Sequence, residues 1–480
     1  MDGDAGTSIG ATALSRRPVH HRTNRRVEAP GSPGVTTEFN KGKTMAITRR
    51  QLVASAGLLA AGSTAVARTK RGARATPSGF LWGTAISAHQ SEGNNTASDS
   101  WLLETITPTA FKDPSGDACD SFARYAEDLD IAASLGLNCY RFGIEWARIE
   151  PAEGMFSQAA LDHYVRVLEA CHARGLLPIV TYNHFTVPLW FAMRGGFEVA
   201  DGADLFARFC ERATARLGSL IGMASTFNEA NILGLRKVLP RFASDAAAEN
   251  ARAMIAAAAR RTNAPRFSSM LFGDPDKINT VMLDAHAKGL AAIKAGPGSF
   301  PAGVTLTMQE IQGVGPGNRA AWAEETMYSG WIEAARSSDF VGVQTYSRLR
   351  INDRGLMPSE PGVPLTDMGY ENYPSAIGAT IRYAAKHIGR PIYLTETGIG
   401  TTDDAARAAF IDATVAEVAK CIADGIPVKG YLYWSLLDNF EWTSGYAKQF
   451  GLVAVDRRTF KRTPKPSAQV LARHARANRL

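Results

Sequence analysis

Cysteine is scarce in this chain: five residues, Cys119, Cys139, Cys171, Cys210 and Cys421, are scattered among 480. None belongs to a CxxC pair or stands at a zinc spacing to histidine, so no metal site and no cofactor is expected. The odd number leaves at least one thiol unpaired, and several lie in apolar surroundings where cysteine acts as a small hydrophobe. There is no low-complexity tract, and no apolar run long enough for a membrane-spanning helix. A basic stripe with interleaved aromatics is missing too, which argues against a nucleic-acid partner. The net charge is +7, but residues 1–67 carry +5 of it and leave +2 for the remainder, an ordinary surface balance. What the chain does have is 45% hydrophobic and 21% charged residues, the makeup of a globular protein with a sizeable core.

After Met45 the sequence reads AITRRQLVASAGLLAAGSTAVARTK. Paired Arg49 and Arg50, a weakly apolar run over 52–65, and small residues Ala65 and Ala67 follow in the order of a secretory signal, and the twin arginines point to the export route for folded proteins. A basic tail is the plainer alternative. Residues 45–67 are read as a twin-arginine-type signal peptide, and residues 1–44 as a disordered basic tail or a misplaced translation start. The protein is then expected in the periplasm or outside the cell.

From about residue 79, short β-rich runs alternate with longer stretches of helical period, the order of a parallel sheet covered by helices. Eight runs stand out: 79–87, 139–149, 177–185, 223–229, 304–309, 339–346, 391–398 and 428–438. SFARYAEDLDIAASLG and LDHYVRVLEACHARG, between them, have apolar residues at three- and four-residue spacing and stop at glycine. Eight such units predict one (β/α)8 barrel over 77–476, in the α/β class. The least patterned stretch, 231–301, holds an Ala-rich helix near 246–261 and is otherwise expected to form loops that shape the substrate entrance.

In such a barrel the reactive groups gather at the C-terminal strand ends. Those ends offer Gln90, Arg141 with Glu145, His184, Asn228 with Glu229, Tyr346, Glu396 and Trp434. Two carboxylates ending strands four and seven face each other across a barrel mouth, as cleavage of a glycosidic bond requires. A separation of about 5 to 5.5 Å allows direct attack and retention of configuration, while roughly 6.5 to 9.5 Å leaves room for a water and inversion. Taken singly, each has a plainer reading: a surface or salt-bridged carboxylate for Glu229 and Glu396, a satisfied core histidine for His184, core packing for Trp434. Against it, both carboxylates end apolar runs, in TFNEA and YLTETG, where an unpaired charge is costly.

At these motifs the sequence resembles glycoside hydrolase family one, the β-glucosidase and β-galactosidase family, from about residue 79 to 467. GFLWGTAISAHQSEG resembles the family's first strand, YRFGIEWARIEP its second, TFNEA its acid/base strand, YLTETG its nucleophile strand, and YLYWSLLDNFEWTSGYAKQFGLVAVD its last strand and loop. The resemblance implies a retaining β-glycosidase acting on a terminal non-reducing sugar, with Glu396 as nucleophile and Glu229 as general acid/base. It assigns Arg141 and Tyr346 to the support of Glu396. Gln90, His184, Asn228, Glu441 and Trp434 are implied as sugar ligands, with Trp442 either beside them or packing the last loop. Retention of Glu441 favours a neutral over a phosphorylated sugar, despite Lys448 nearby.

The chain departs from the family's usual pattern at Phe185, where tryptophan is common, at Ala230, where proline is, at Ser91, and at Gln344 and Thr345, which replace an Asn-Tyr pair. Two other activities fit the same residues. A transglycosidase would pass the sugar to an alcohol and be recognised by transfer products from an aryl β-glycoside with added acceptor. A non-catalytic carbohydrate-binding protein would be indifferent to Glu396→Gln. Sugar preference, aglycone and oligomeric state are open at this level.

Overall fold

β-Branched and aromatic side chains crowd the short runs, LPIVTYN and VKGYLYW among them, and such side chains fit a pleated surface packed on both faces. In the computed structural model, which describes residues 76–239 and 244–480, the eight runs form β1 (Leu81–Ala85), β2 (Cys139–Gly143), β3 (Leu177–Asn183), β4 (Met223–Phe227), β5 (Ala302–Thr307), β6 (Val341–Gln344), β7 (Ile392–Glu396) and β8 (Val428–Trp434). All are parallel, and they close in the order β1-β8-β7-β6-β5-β4-β3-β2, the expected (β/α)8 barrel. The tail and signal expected over 1–67 lie outside the described residues. No described helix is long and apolar enough to cross a membrane.

The strands alternate sharply. In β2, Tyr140 and Phe142 join the core between barrel and helices, while Cys139 packs into a separate cluster with Ile179, Met223, Phe340 and Leu432. That second cluster plugs the barrel near the N-terminal strand ends. Arg141 shares the inward face with Cys139, and Trp434 shares one with Leu432, so the inward face changes from apolar to polar along these strands. All five cysteines are buried and free. Burial pushes Cys119 up to about 12 and Cys421 to about 11, which makes both poor nucleophiles.

Two sequence expectations need correction. The second strand stops at Gly143 instead of running to 149, because the Glu145 carboxylate accepts from Ala147 N at 3.2 Å and caps a helical turn, Trp146–Ile149. In the stretch 231–301 the Ala-rich helix expected near 246–261 is present as Asp245–Thr262, but the remainder is not chiefly loop, since it also holds helices Ile232–Val238 and Pro275–Ala295. The last belongs to the barrel's outer ring and lies on helix Gly202–Leu217. Gly289 lets it approach, since a Cβ there would meet the Phe206 ring at 2.8 Å.

Truncating Leu432, wholly buried in the plug, removes apolar contacts at a site that strands on all sides keep from collapsing. Leu432→Ala is expected to lower unfolding free energy by about 2–5 kcal/mol. A urea titration checks this, and a loss under about 1 kcal/mol would show that the plug relaxes freely.

Candidate active site

Each polar side chain of the mouth is held by the strand that carries it or by the residue just beyond. Arg141, fully buried in β2, donates from Nη1 to Glu396 Oε1 at 2.5 Å and from Nη2 to Asn228 Oδ1 at 2.6 Å. Tyr346 donates its hydroxyl to Glu396 Oε2 at 2.7 Å, so both oxygens of Glu396 are engaged. Gln344, next to Glu396 in the β6–β7 register, donates to Asn228 Oδ1 at 2.8 Å. Glu229 follows β4 with a positive φ of 40°, and its backbone N donates to Thr305 Oγ1 on β5 at 3.2 Å.

This wiring separates the two carboxyls electrostatically. Burial, and then the negative charge of Glu396, lift Glu229 to about 8, against smaller pulls from a Thr307 hydrogen bond and Arg141. Burial also pushes Glu396 upward, but Arg141 and Tyr346 both pull it back by contacting its charged form directly. Glu396 is therefore the carboxylate and Glu229 the acid at neutral pH. Glu441 is lifted to about 8 by burial and by Glu396 as well. His184 is pushed well below its usual value by burial and by Arg141, and is neutral. The Tyr346 phenol is raised by burial and both glutamates, which keeps it a donor.

A cavity of about 440 Å³ brings the expected residues together: Gln90, His184, Asn228, Glu229, Tyr346, Glu396, Trp434, Glu441 and Trp442 all line it, with Arg141 behind. Gln90 accepts from Ser87 Oγ at 2.8 Å and donates to Phe440 O at 2.8 Å and to Glu441 Oε2 at 3.4 Å. Trp442 belongs to this wall: its ring and that of Trp434 both stack on His184, at 6.2 and 5.5 Å between centroids. A flat aromatic floor with a ring of fixed donors and acceptors suits a sugar's apolar face and its hydroxyls. Among the described residues no group of three or more His, Cys, Asp or Glu is arranged to hold a metal ion.

Several residues look different in three dimensions. Glu145 is spent on its helix cap and on the Thr186 hydroxyl at 2.8 Å, and does not line the cavity. Lys448 donates to Asp367 O. Phe185 meets the Trp442 ring edge-on at 5.3 Å instead of offering a polar group. Gln344, a departure from the family pattern, takes part in holding Asn228. Sequence reasoning missed Gln309 and, beyond the strand ends, Arg236 of helix Ile232–Val238 and Arg348 of strand Arg348–Asn352 on the cavity wall. Gln309 follows a strand and was open to the strand-end argument, whereas the arginines had no such signal.

Comparison with known proteins agrees with this geometry. A model of glycosyl hydrolase family 1 matches residues 73–261 and 323–479. Beta-glucosidase A of Thermotoga maritima is 29% identical over 437 residues, covering 82% of this chain and 95% of that protein. The crystal structure of β-glycosidase BGL167 superposes with a TM-score of 0.80 at 46% identity, covering 84% of this chain and 97% of the other. A Thermotoga maritima β-glucosidase in complex with glucoimidazole gives a TM-score of 0.73 at 26% identity, over 85% and 100% of the two chains.

Two measurements address the carboxyls. Because Glu229 must hold its proton, kcat/KM is expected to fall on the alkaline side with a midpoint near 8. Glu441→Gln should keep that limb, and a midpoint near the ordinary 4.5 would remove Glu229 from the acid's role. Glu396→Gln should cost about four orders of magnitude or more in kcat/KM on an aryl β-glycoside while leaving the fold intact by circular dichroism.

Proposed function

The chain belongs to glycosyl hydrolase family 1 and is a retaining β-glycosidase, and from that premise we propose that it removes a neutral sugar from the non-reducing end of β-glycosides with an apolar aglycone. The observation that carries the reading is the unequal pair: Glu396 bound on both oxygens, and Glu229, buried in the same cavity, lifted to about 8. In the first step Glu396 attacks the anomeric carbon and the bond to the aglycone oxygen breaks as Glu229 passes it a proton. Consumption of the Glu396 charge removes the repulsion that raised Glu229, so the acid becomes a base fit to deprotonate water. That water releases the sugar and restores the Glu396 carboxylate.

Gln90, His184, Asn228, Glu441, Trp434 and Trp442 bind the sugar in this proposal. The Glu441 carboxyl suits a sugar hydroxyl, and the negative charge of Glu396 that acts on it disfavours a phosphate there. The aglycone reading rests on the loops beyond the strand ends. Ile232, Leu235 and Leu239 follow β4, joined by Leu271 and Phe272; Leu349, Leu356 and Met357 follow β6, and all line the cavity. The arginine pair and apolar run of residues 45–67 support export, with the reaction then taking place outside the cytoplasm.

Proton NMR of a reacting aryl β-glycoside should show the β-anomer of the free sugar first; the α-anomer first would end the covalent route. Glu229→Gln should slow substrates with poor leaving groups far more than activated aryl glycosides, which need no proton. For n-alkyl β-glycosides, each buried methylene should raise kcat/KM by up to about fourfold until the cavity fills, and a flat series would overturn the apolar aglycone.

A further inference from the structure

One buried residue that the mechanism does not use touches both neighbours of the sugar ligand Glu441. His89 lies in the helical turn Ala88–Ser91 after β1, next to Gln90, and is wholly buried. Its ring stacks almost parallel on Trp442, with centroids 5.7 Å apart and planes at 8°, and meets the Phe440 ring edge-on at 6.1 Å. Trp442 needs such support: its φ of 45° is a left-handed conformation that a bulky side chain adopts only when its surroundings hold it.

The polar surroundings of His89 favour a positive charge. Nε2 is 2.7 Å from Glu104 Oε1, and the other oxygen of Glu104 accepts from Ser115 N and Oγ at 2.8 and 2.6 Å. The charged groups acting on the ring are Glu104, Glu145 and Asp99, all acids. Asn95 Nδ2 stands 3.1 Å from Nδ1, and turning the carboxamide over, which keeps its outline, brings the buried and otherwise unpartnered Asn95 oxygen to that nitrogen. An imidazolium donates from both nitrogens, to Glu104 on one side and to the Asn95 oxygen on the other.

We propose that His89 is a positioning residue: as an imidazolium paired with Glu104, it holds the strained Trp442, and with it the Glu441 loop, against the bound sugar. A cation on the indole face adds electrostatic attraction to ring contact, so the hold depends on charge as well as shape. The supporting acids outweigh the burial that opposes them, and the pKa of His89 is raised. The clamp is therefore complete at low pH and weakens as pH rises through that raised value.

Three variants and one spectrum test this. His89→Phe keeps a flat ring without charge, His89→Gln keeps polarity without a ring, and Glu104→Gln removes the counter-ion. With methyl β-glucoside, each is expected to raise KM about tenfold while kcat changes less than about threefold. In the wild type KM should also climb with pH through the titration of His89. That climb should be missing from His89→Phe, whereas effects of Glu229 and Glu441 are common to both. The kinetic arm rests on the glycosidase reading. The nitrogen-15 spectrum of histidine-labelled wild-type protein does not, and with the His89 signal assigned by its loss in His89→Phe it should show two protonated ring nitrogens at pH 7. A neutral tautomer would overturn the charge, and unchanged KM in folded variants would overturn the positioning role. An inactive wild type with an imidazolium signal would sink the glycosidase reading alone.

Discussion

A guanidinium with no exposure to water, set inside a barrel, has to be answered by a carboxylate, and Arg141 is answered by Glu396 at 2.5 Å. Burying either charge alone costs several kcal/mol, and each offsets much of the other's cost. The rest of the mouth follows from that pair. Arg141 has a second Nη, which fixes Asn228, and Gln344 meets the same carbonyl oxygen. Tyr346 takes the Glu396 oxygen that Arg141 does not. With Glu396 held ionised, Glu229 and Glu441 both feel its charge, and neither loses a proton readily. One ion pair thus sets the two carboxyls apart, Glu396 held in its charged form and Glu229 holding its proton.

The mouth also stores backbone strain. Phe185, Glu229 and Trp442 all have positive φ, at 73°, 40° and 45°, and all three line the cavity. Conformations of this kind cost of order 1–3 kcal/mol each and persist only where the surroundings over-determine them. The barrel supplies that determination from below. Its apolar plug of Cys139, Ile179, Met223, Phe340 and Leu432 fixes the strands near their N-terminal ends, leaving the opposite ends to carry polar and strained residues. Stability and chemistry occupy different levels of the same strands.

That division explains what could be read from the sequence. Eight β-rich runs marked the eight barrel strands because both faces of each strand are packed. The polar residues just past them marked the mouth because an acid or an amide at the end of an apolar run needs a reason to be there. Glu145 passed the same test and had a different reason, a helix cap. Helix Pro275–Ala295 was passed over although Ile278, Met282, Leu290 and Ile293 recur on its buried face; Ala285, His286 and Gly289 interrupt that apolar stripe where the helix comes nearest its neighbour. The apolar wall of Leu235, Leu349 and Leu356 was invisible for another reason. Leu235 lies in helix Ile232–Val238 and Leu349 and Leu356 in short strands after β6, and leucine in such a segment carries no chemical signature until the segment is folded over a cavity.

The two halves of the cavity act at different stages of the reaction. The sugar site is polar and wired to the barrel, so it stays organised whether the sugar is free or bonded to Glu396. The outer walls, proposed to hold the aglycone, lie beyond the strand ends and mix apolar side chains with Arg236, Arg348 and Gln309, so area contributes there beside a few polar contacts. An alcohol with an apolar tail would be held by the walls that held the leaving group. Water competes by concentration, and the balance between hydrolysis and transfer is thus set by how much apolar surface an acceptor can bury, not by any change in the carboxyl pair.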